Sequence, residues 1–216
     1  MKYIAVEGPI GVGKTSLAEL LCQEFGGKGV YEDVETNPFL KDFYLDRKKY
    51  ALQTQLFFLL ARYQQQRELN QQDLFDKVIV SDYLFAKDWM FACINLDDNE
   101  IILYQQIYKM LDAEIPTPDL VIFLNATSGV LMDRIRQRGK GFEKGIEMDY
   151  LDRVTQAYRR FFFHYNKGPL LVVDVSDIDF VNSQDDFKSL VKEIRHMKKG
   201  TQYYIPRFAS THKYYK

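Results

Sequence analysis

The stretch Gly8-Pro9-Ile10-Gly11-Val12-Gly13-Lys14-Thr15 decides how the rest of this chain is read. It fits G-x-x-x-x-G-K-[ST] in full, directly after the apolar run Tyr3 to Val6 and directly before a helix-like stretch from Lys14 to about Phe25. In that strand–loop–helix setting glycines let the backbone curl so that its N–H groups face an anion, and the helix start adds its positive end. Lys14 then reaches the β- and γ-phosphates of a nucleotide, and the Thr15 hydroxyl is placed for Mg²⁺.

Working outward, Gly26-Gly27 breaks the first helix and Val30 to Val34 reads as a second strand. A short helix is expected over Phe39 to Tyr44 and a long one over Tyr50 to Gln72, where Leu56, Leu59, Leu60 and Tyr63 fall at helical spacing. Val78 to Val80, Leu120 to Leu124 and Leu170 to Val175 are continuous apolar runs, strands with both faces covered. Helices are expected over Phe85–Ile94, Glu100–Ala113, Gly129–Arg138, Tyr150–Asn166 and Phe187–Met197, with a glycine- and lysine-rich loop from Gly139 to Glu147. Apolar strands alternating with helices predict one α/β domain over residues 1–200, a five-stranded parallel sheet flanked by helices. Ligands of such sheets bind beyond the carboxyl ends of the strands. Residues 201–216, with four Tyr, three Lys/Arg and no acid, read as a flexible or docking tail.

Composition excludes several classes. The 216 residues are 46% hydrophobic and 27% charged, a globular balance without long disorder. Twenty-nine basic against thirty acidic side chains leave a net charge of −1, so no global field favours a nucleic-acid polymer or an anionic membrane. No apolar run approaches the ~20 residues that cross a bilayer. Cys22 and Cys93 lack metal-ligand spacing and read as buried small hydrophobes in a reducing, cytoplasmic setting. The aromatic content, 15%, points to a tightly filled core, a stacking pocket, or both.

A phosphate loop specifies a nucleotide, not an acceptor. The segment Arg134 to Lys144 carries five basic side chains against the single acid Glu143, and Arg134 and Arg138, four apart, share a helix face. Alone this would be a solvated basic helix end. Behind a phosphate loop it reads as a helical lid that closes over a transferring phosphate, in a short chain suited to a small-molecule kinase.

These residues together resemble the deoxynucleoside kinase family, whose P-loop kinase fold phosphorylates the 5′-hydroxyl of deoxyribonucleosides in salvage. The resemblance runs from the phosphate loop to the Tyr150 helix. Glu32-Asp33-Val34 resembles the family's Glu-Pro-Val segment, which implies Glu32 as the base that takes the hydroxyl proton. Tyr50 to Arg62 is similar to the family's base-reading helix. Gln55 and Arg62 are two turns apart on one face, and a Gln amide offers a donor and an acceptor to a base edge. Arg62 stands at the family position that pairs with an aspartate, for which Asp88 is the nearest candidate. Phe57, Phe58 and Trp89 are read both as stacking groups and as core. Tyr44 and the Asp149-Tyr150-Leu151 run match positions that hold the sugar 3′-hydroxyl, and Arg134-Ile135-Arg136-Gln137-Arg138-Gly139-Lys140 matches the lid. The resemblance implies ATP with Mg²⁺ as donor, Lys14, Arg134 and Arg138 on its phosphates, Thr15 and Asp82 toward the metal, and a homodimer.

One departure stands out. Most relatives carry an acid–Arg–Ser triplet after the third strand, whereas this chain reads Val80-Ser81-Asp82-Tyr83. Asp82 can serve as the acid, but Tyr83 supplies no positive charge; either the lid supplies it or activity is low. The Ser-Asp-Tyr form resembles bacterial deoxyguanosine kinases, which favours a purine acceptor, deoxyguanosine first and deoxyadenosine next. Two alternatives stay open at this level: a nucleoside monophosphate kinase of the thymidylate type, and a non-catalytic structural relative.

Overall fold

The computed structural model describes residues 1–71, 78–112 and 115–206. The ends of two expected helices, Gln72 and Ala113, and the tail from 207 onward lie outside them. Strand β1 (Tyr3–Glu7) is buried at every position, as expected of an apolar strand covered on both faces. It feeds through the glycine-rich loop into α1 (Lys14–Phe25), followed by the short β2 (Lys28–Val30). Next come α2 (Leu40–Leu45), the long α3 (Arg47–Gln71), β3 (Ile79–Ser81), α4 (Lys87–Asn95) and α5 (Asp98–Asp112). The second half runs β4 (Leu120–Asn125), α6 (Ser128–Arg138), a 3₁₀ turn over Gly141–Gly145, α7 (Met148–Phe163), β5 (Leu170–Asp174), α8 (Gln184–His196) and β6 (Thr201–Tyr204).

The sheet order is β2-β3-β1-β4-β5-β6 and every pairing is parallel. Ile4 stands opposite Val80 on one side and Leu120 on the other, so β1 lies inside the sheet and aims its loop out of the middle. The main core joins these strands to Leu17, Leu21, Leu131, Val154, Tyr158 and Leu190 of the helices. Along α3 the buried residues Ala51, Thr54, Gln55, Phe58, Leu59, Arg62 and Gln66 recur at helical spacing, so its inward stripe carries polar groups among the apolar ones.

Three expectations need correction. The sheet has six strands, not five: Thr201–Tyr204, assigned from sequence to the tail, pairs with β5 in register Val172 to Tyr203. An edge strand with alternately exposed side chains gives no continuous apolar run to read. The second strand ends at Val30, earlier than expected, because Glu32 leaves the ladder to donate its backbone N–H to Asp82. Finally, Cys93 is exposed and Cys22 only half-buried, with the Tyr31 hydroxyl 3.6 Å from its sulfur, so neither is a sealed core residue.

The phosphate loop itself packs on α6. Gly11 has φ +84°, and a Cβ there would lie 2.9 Å from the Leu131 carbonyl oxygen and 2.8 Å from Ile135 Cγ1. Replacing Gly11 by Ala should therefore cost about 1–3 kcal/mol from left-handed strain and overpacking together. Denaturant unfolding checks this, and an unchanged midpoint would refute the packing account.

Candidate active site

Three neighbouring strands, β2, β3 and β1, deliver their carboxyl ends side by side. Glu32 follows the first, Asp82 the second, and the phosphate loop the third. This is where ligands of an open parallel sheet bind. A cleft with about 230 Å³ of free space opens there, bounded by Lys14 and Thr15, by Glu32 and Asp82, and by Arg138 from the lid segment.

In the loop, Gly13 adopts φ +101° at the start of α1, a helix with no side-chain cap and no acid in its first turn. Its first N–H groups are thus left for an anion. Lys14 folds back over the loop, its Nζ donating to the carbonyls of Gly8 (2.9 Å) and Pro9 (3.2 Å). Burial lowers its affinity for a proton, with Glu7 pulling the other way. The Thr15 hydroxyl donates to Asp82 Oδ2 at 2.5 Å, while Asp82 Oδ1 accepts the Glu32 N–H at 2.8 Å. Burial raises the Asp82 pKa, as expected of a carboxylate short of positive partners. Among the described residues no cluster of three acids, histidines or cysteines could hold a metal unaided. Two hard oxygen ligands side by side do fit Mg²⁺ that is carried chiefly by phosphate oxygens.

The cleft floor is a chain of alternating charges. Arg62 pairs with Glu32 and with Asp88. Lys87 Nζ lies 3.2 Å from Glu32 Oε2 and 3.3 Å from Glu7 Oε1, and its side chain is only 3% exposed. Glu7, wholly buried, also accepts the N–H of Gly8 at 2.6 Å, the N–H of Leu84 at 3.1 Å and the Tyr158 hydroxyl at 3.0 Å. Burial alone would raise the Glu32 carboxyl, but Arg62, Lys87 and Lys14 outweigh it and hold it down at about 2. Asp88 is pushed by burial to about 6 against the pull of Arg62 and Lys87.

Side chains from four elements make the walls. Gln55 and Phe58 come from α3, Phe43 and Tyr44 from α2, Phe91 from α4, and Tyr150 and Tyr158 from α7. Arg62 lies over the Phe58 ring at 4.8 Å. Phe57 and Trp89 do not line the cleft, and Trp89 packs in a separate cluster with Phe85 and Tyr104.

Most sequence-named candidates therefore converge: Ile10, Gly11, Lys14 and Thr15 of the loop with Glu32, Tyr44, Gln55, Phe58, Arg62, Asp82 and Arg138 at the cleft, Gly8, Pro9, Val12 and Gly13 completing the loop, and Asp88 directly behind Arg62. Two do not. Asp149 is turned to solvent, 84% exposed and paired with Arg153, because the helical phase that sends Tyr150 inward sends its neighbour out. Arg134 is not among the residues lining the cleft and donates to the carbonyls of Val12 (3.4 Å), Val175 (2.8 Å) and Ile178 (3.5 Å), tying α6 to the loop. On the lid, Arg138 pairs with Glu143, and Lys140 reaches Glu35 at 2.8 Å.

Tyr83 is fully buried, and its hydroxyl accepts a hydrogen bond from Gln66 at 3.2 Å. Among the described residues the cations in ion pairs with Glu32 are Arg62 and Lys87, neither of them from the lid segment. Sequence reading missed Lys87, Glu7, Phe91, Glu143 and Tyr158. Only Glu7 left a signal, an acid ending an otherwise apolar strand.

A family model for deoxynucleoside kinases matches residues 4–198. The deoxyguanosine kinase of Bacillus subtilis (strain 168) is 34% identical over 200 residues, covering 90% of this chain and 97% of that protein. The deoxyadenosine kinase of Lactobacillus acidophilus is 30% identical, covering 90% and 95%. Among solved structures, a deoxyadenosine kinase from M. mycoides superposes with a TM-score of 0.79 at 24% identity, over 90% of this chain and 100% of that one. The likeness thus extends from the strand before the phosphate loop to beyond the last long helix, and on that ground the chain belongs to the deoxynucleoside kinase family.

Proposed function

We propose that this kinase transfers the γ-phosphoryl group of ATP to the 5′-hydroxyl of a purine deoxyribonucleoside, deoxyguanosine first and deoxyadenosine next, in nucleotide salvage. The observation that carries this reading is the placement of Glu32 at the cleft floor, between the phosphate loop and the Gln55–Arg62 face of α3. That order matches the order of the reactants: donor phosphates, acceptor hydroxyl, sugar, base.

In this reading the α1 N-terminus, the loop N–H groups and Lys14 receive the donor phosphates, and Arg138 approaches them from the lid. Thr15 and Asp82 would hold Mg²⁺, which neutralises charge on the phosphates. Glu32 accepts the proton of the 5′-hydroxyl as the new O–P bond forms and the bond to ADP breaks. Tyr44 and Tyr150 flank the sugar, Phe58 offers a face to the base, and Gln55 with the Arg62–Asp88 pair reads its edge. Arg62 is held by two carboxylates, so it is not free to grip a second phosphate on the acceptor. This argues against a monophosphate acceptor. Positioning and charge neutralisation supply most of the rate. The names of the curated relatives support the purine preference. The protein works in the cytoplasm as a homodimer.

The acceptor is tested by offering the four deoxynucleosides and thymidylate in parallel with Mg·ATP. Deoxyguanosine should be labelled fastest; preference for deoxycytidine or thymidine would sink the purine reading, and labelling of thymidylate alone would replace the acceptor class.

Glu32→Gln should bind both substrates yet lose ~10²–10⁴ in kcat; unchanged turnover would remove Glu32 from this role. The same variant has a pH signature. Glu32 is held at about 2 against an ordinary value of 4.5, so its stabilisation is complete above 4.5 and is lost as pH falls toward 2. Parent stability should therefore drop more steeply than that of Glu32→Gln across this window, and parallel curves from denaturant unfolding would contradict the charge network.

A further inference from the structure

Lys87 is among the most deeply buried charged groups in the described structure, and it sits at the first position of α4 with no sequence motif around it. Its ammonium bridges two carboxylates that belong to different parts of the machinery. Glu7 Oε1 lies 3.3 Å away, on the strand that feeds the phosphate loop. The other oxygen of Glu7 holds the N–H of Gly8, the first residue of that loop. On its far side Lys87 meets Glu32 Oε2 at 3.2 Å. A continuous run of charge-assisted contacts thus links Gly8 to Glu7, Glu7 to Lys87, and Lys87 to Glu32.

Arg62 also holds Glu32, but it comes from the base-reading side and divides its guanidinium between Glu32 and Asp88. Of the two cations in ion pairs with Glu32 among the described residues, Lys87 is the one that also pairs on the phosphate-loop side, while Lys14 adds attraction from the loop itself. The Tyr83 ring lies 5.8 Å from the ammonium and Tyr83 carries no charge of its own, while Asp82 beside it holds Glu32 by its backbone N–H and leaves the carboxylate to the cations. The two carboxylates keep Lys87 protonated, outweighing the burial that would deprotonate it.

We propose that Lys87 is a positioning residue for phosphoryl transfer, a strut that fixes the Glu32 carboxylate at a set distance from the phosphate loop. Lys87 reaches the cleft surface, and the role assigned to it is exercised through Glu32. It holds the oxygen that meets the acceptor hydroxyl in line with the phosphate that the loop presents, and tolerance for misplacement at such a step is small. The inference rests on Glu32 acting as the base, and both the parent transfer assay and Glu32→Gln test that premise separately.

The competing account is that Lys87 merely neutralises buried Glu7, and a set of variants separates the two. Lys87→Met should lower kcat by roughly 10²-fold with KM for both substrates little changed. Lys87→Met with Glu7→Gln removes the unpaired buried carboxylate as well, so its thermal midpoint should return toward the parent's while kcat stays low. In a cycle with Glu32→Gln, adding Lys87→Met should cause no further loss of kcat, because Lys87 acts through the carboxylate already removed. If Lys87→Met alone does not fold, the Glu7→Gln background carries the same cycle. Recovery of parent kcat in the Glu7→Gln pair, additive losses with Glu32→Gln, or failure of both Lys87 variants to fold would each overturn the assignment and make Lys87 a residue of the fold.

Discussion

Five charged side chains, Glu7, Lys87, Glu32, Arg62 and Asp88, alternate in sign across the cleft floor, and the geometry of the site depends on their pairing. They come from β1, α4, the segment after β2, and α3, so four separate pieces of chain are pinned to one another through charge. Such a network adds little net stability over an apolar packing of the same shape, yet losing any one partner strands a buried charge at about 3–5 kcal/mol. The elements are therefore held in register by the cost of misplacing them. Apolar side chains could fill the same volume, but they would not aim a carboxylate oxygen at one place.

The parts that were legible in the sequence are those whose local pattern decides their structure. The phosphate loop and α1 follow from glycine spacing and the apolar strand before it, and β1, β3, β4 and β5 from runs that only a doubly covered sheet accommodates. Gln55 and Arg62 could be placed on one face because a helix fixes their phase. Asp149 is named by the family resemblance and not by helical phase, and the phase of α7 turns Tyr150 to the cleft and Asp149 to solvent. β6 escaped because an edge strand is half exposed and its side chains alternate. Lys87 and Glu7 escaped for a different reason: burial of a charge is decided by the partners that tertiary folding brings, and those lie 80 residues apart in the chain.

The departure at Tyr83 illustrates how a change of residue type at one position is absorbed elsewhere. A neutral aromatic at the end of β3 fits where it does because Gln66, a polar residue inside the α3 stripe, donates to both its hydroxyl and that of Tyr3. The ring is thereby committed to the small cluster with Tyr3, Val30 and Ile79 and gives the cleft no polar group. Positive charge enters from the next helix instead, one turn along at Lys87.

The floor and the lid are held by different physics. Floor pairs are dry, so each contact is strong and its loss is costly. The lid segment packs on α2 at Gly145, with Glu143 and Ile146 buried, and its outer ion pairs, Lys140 with Glu35 and Arg47 with Glu147, are open to water on at least one side. Water and salt screen such pairs. Its root is firm, since Arg134 ties α6 to the carbonyls of the phosphate loop and of the segment after β5. The segment is thus fixed at its base by hydrogen bonds to carbonyls, while the ion pairs at its outer edge face water. For the in-line transfer proposed above, the dry floor holds the groups that set the reacting distance, and the screened outer pairs are the contacts that opening would cost least.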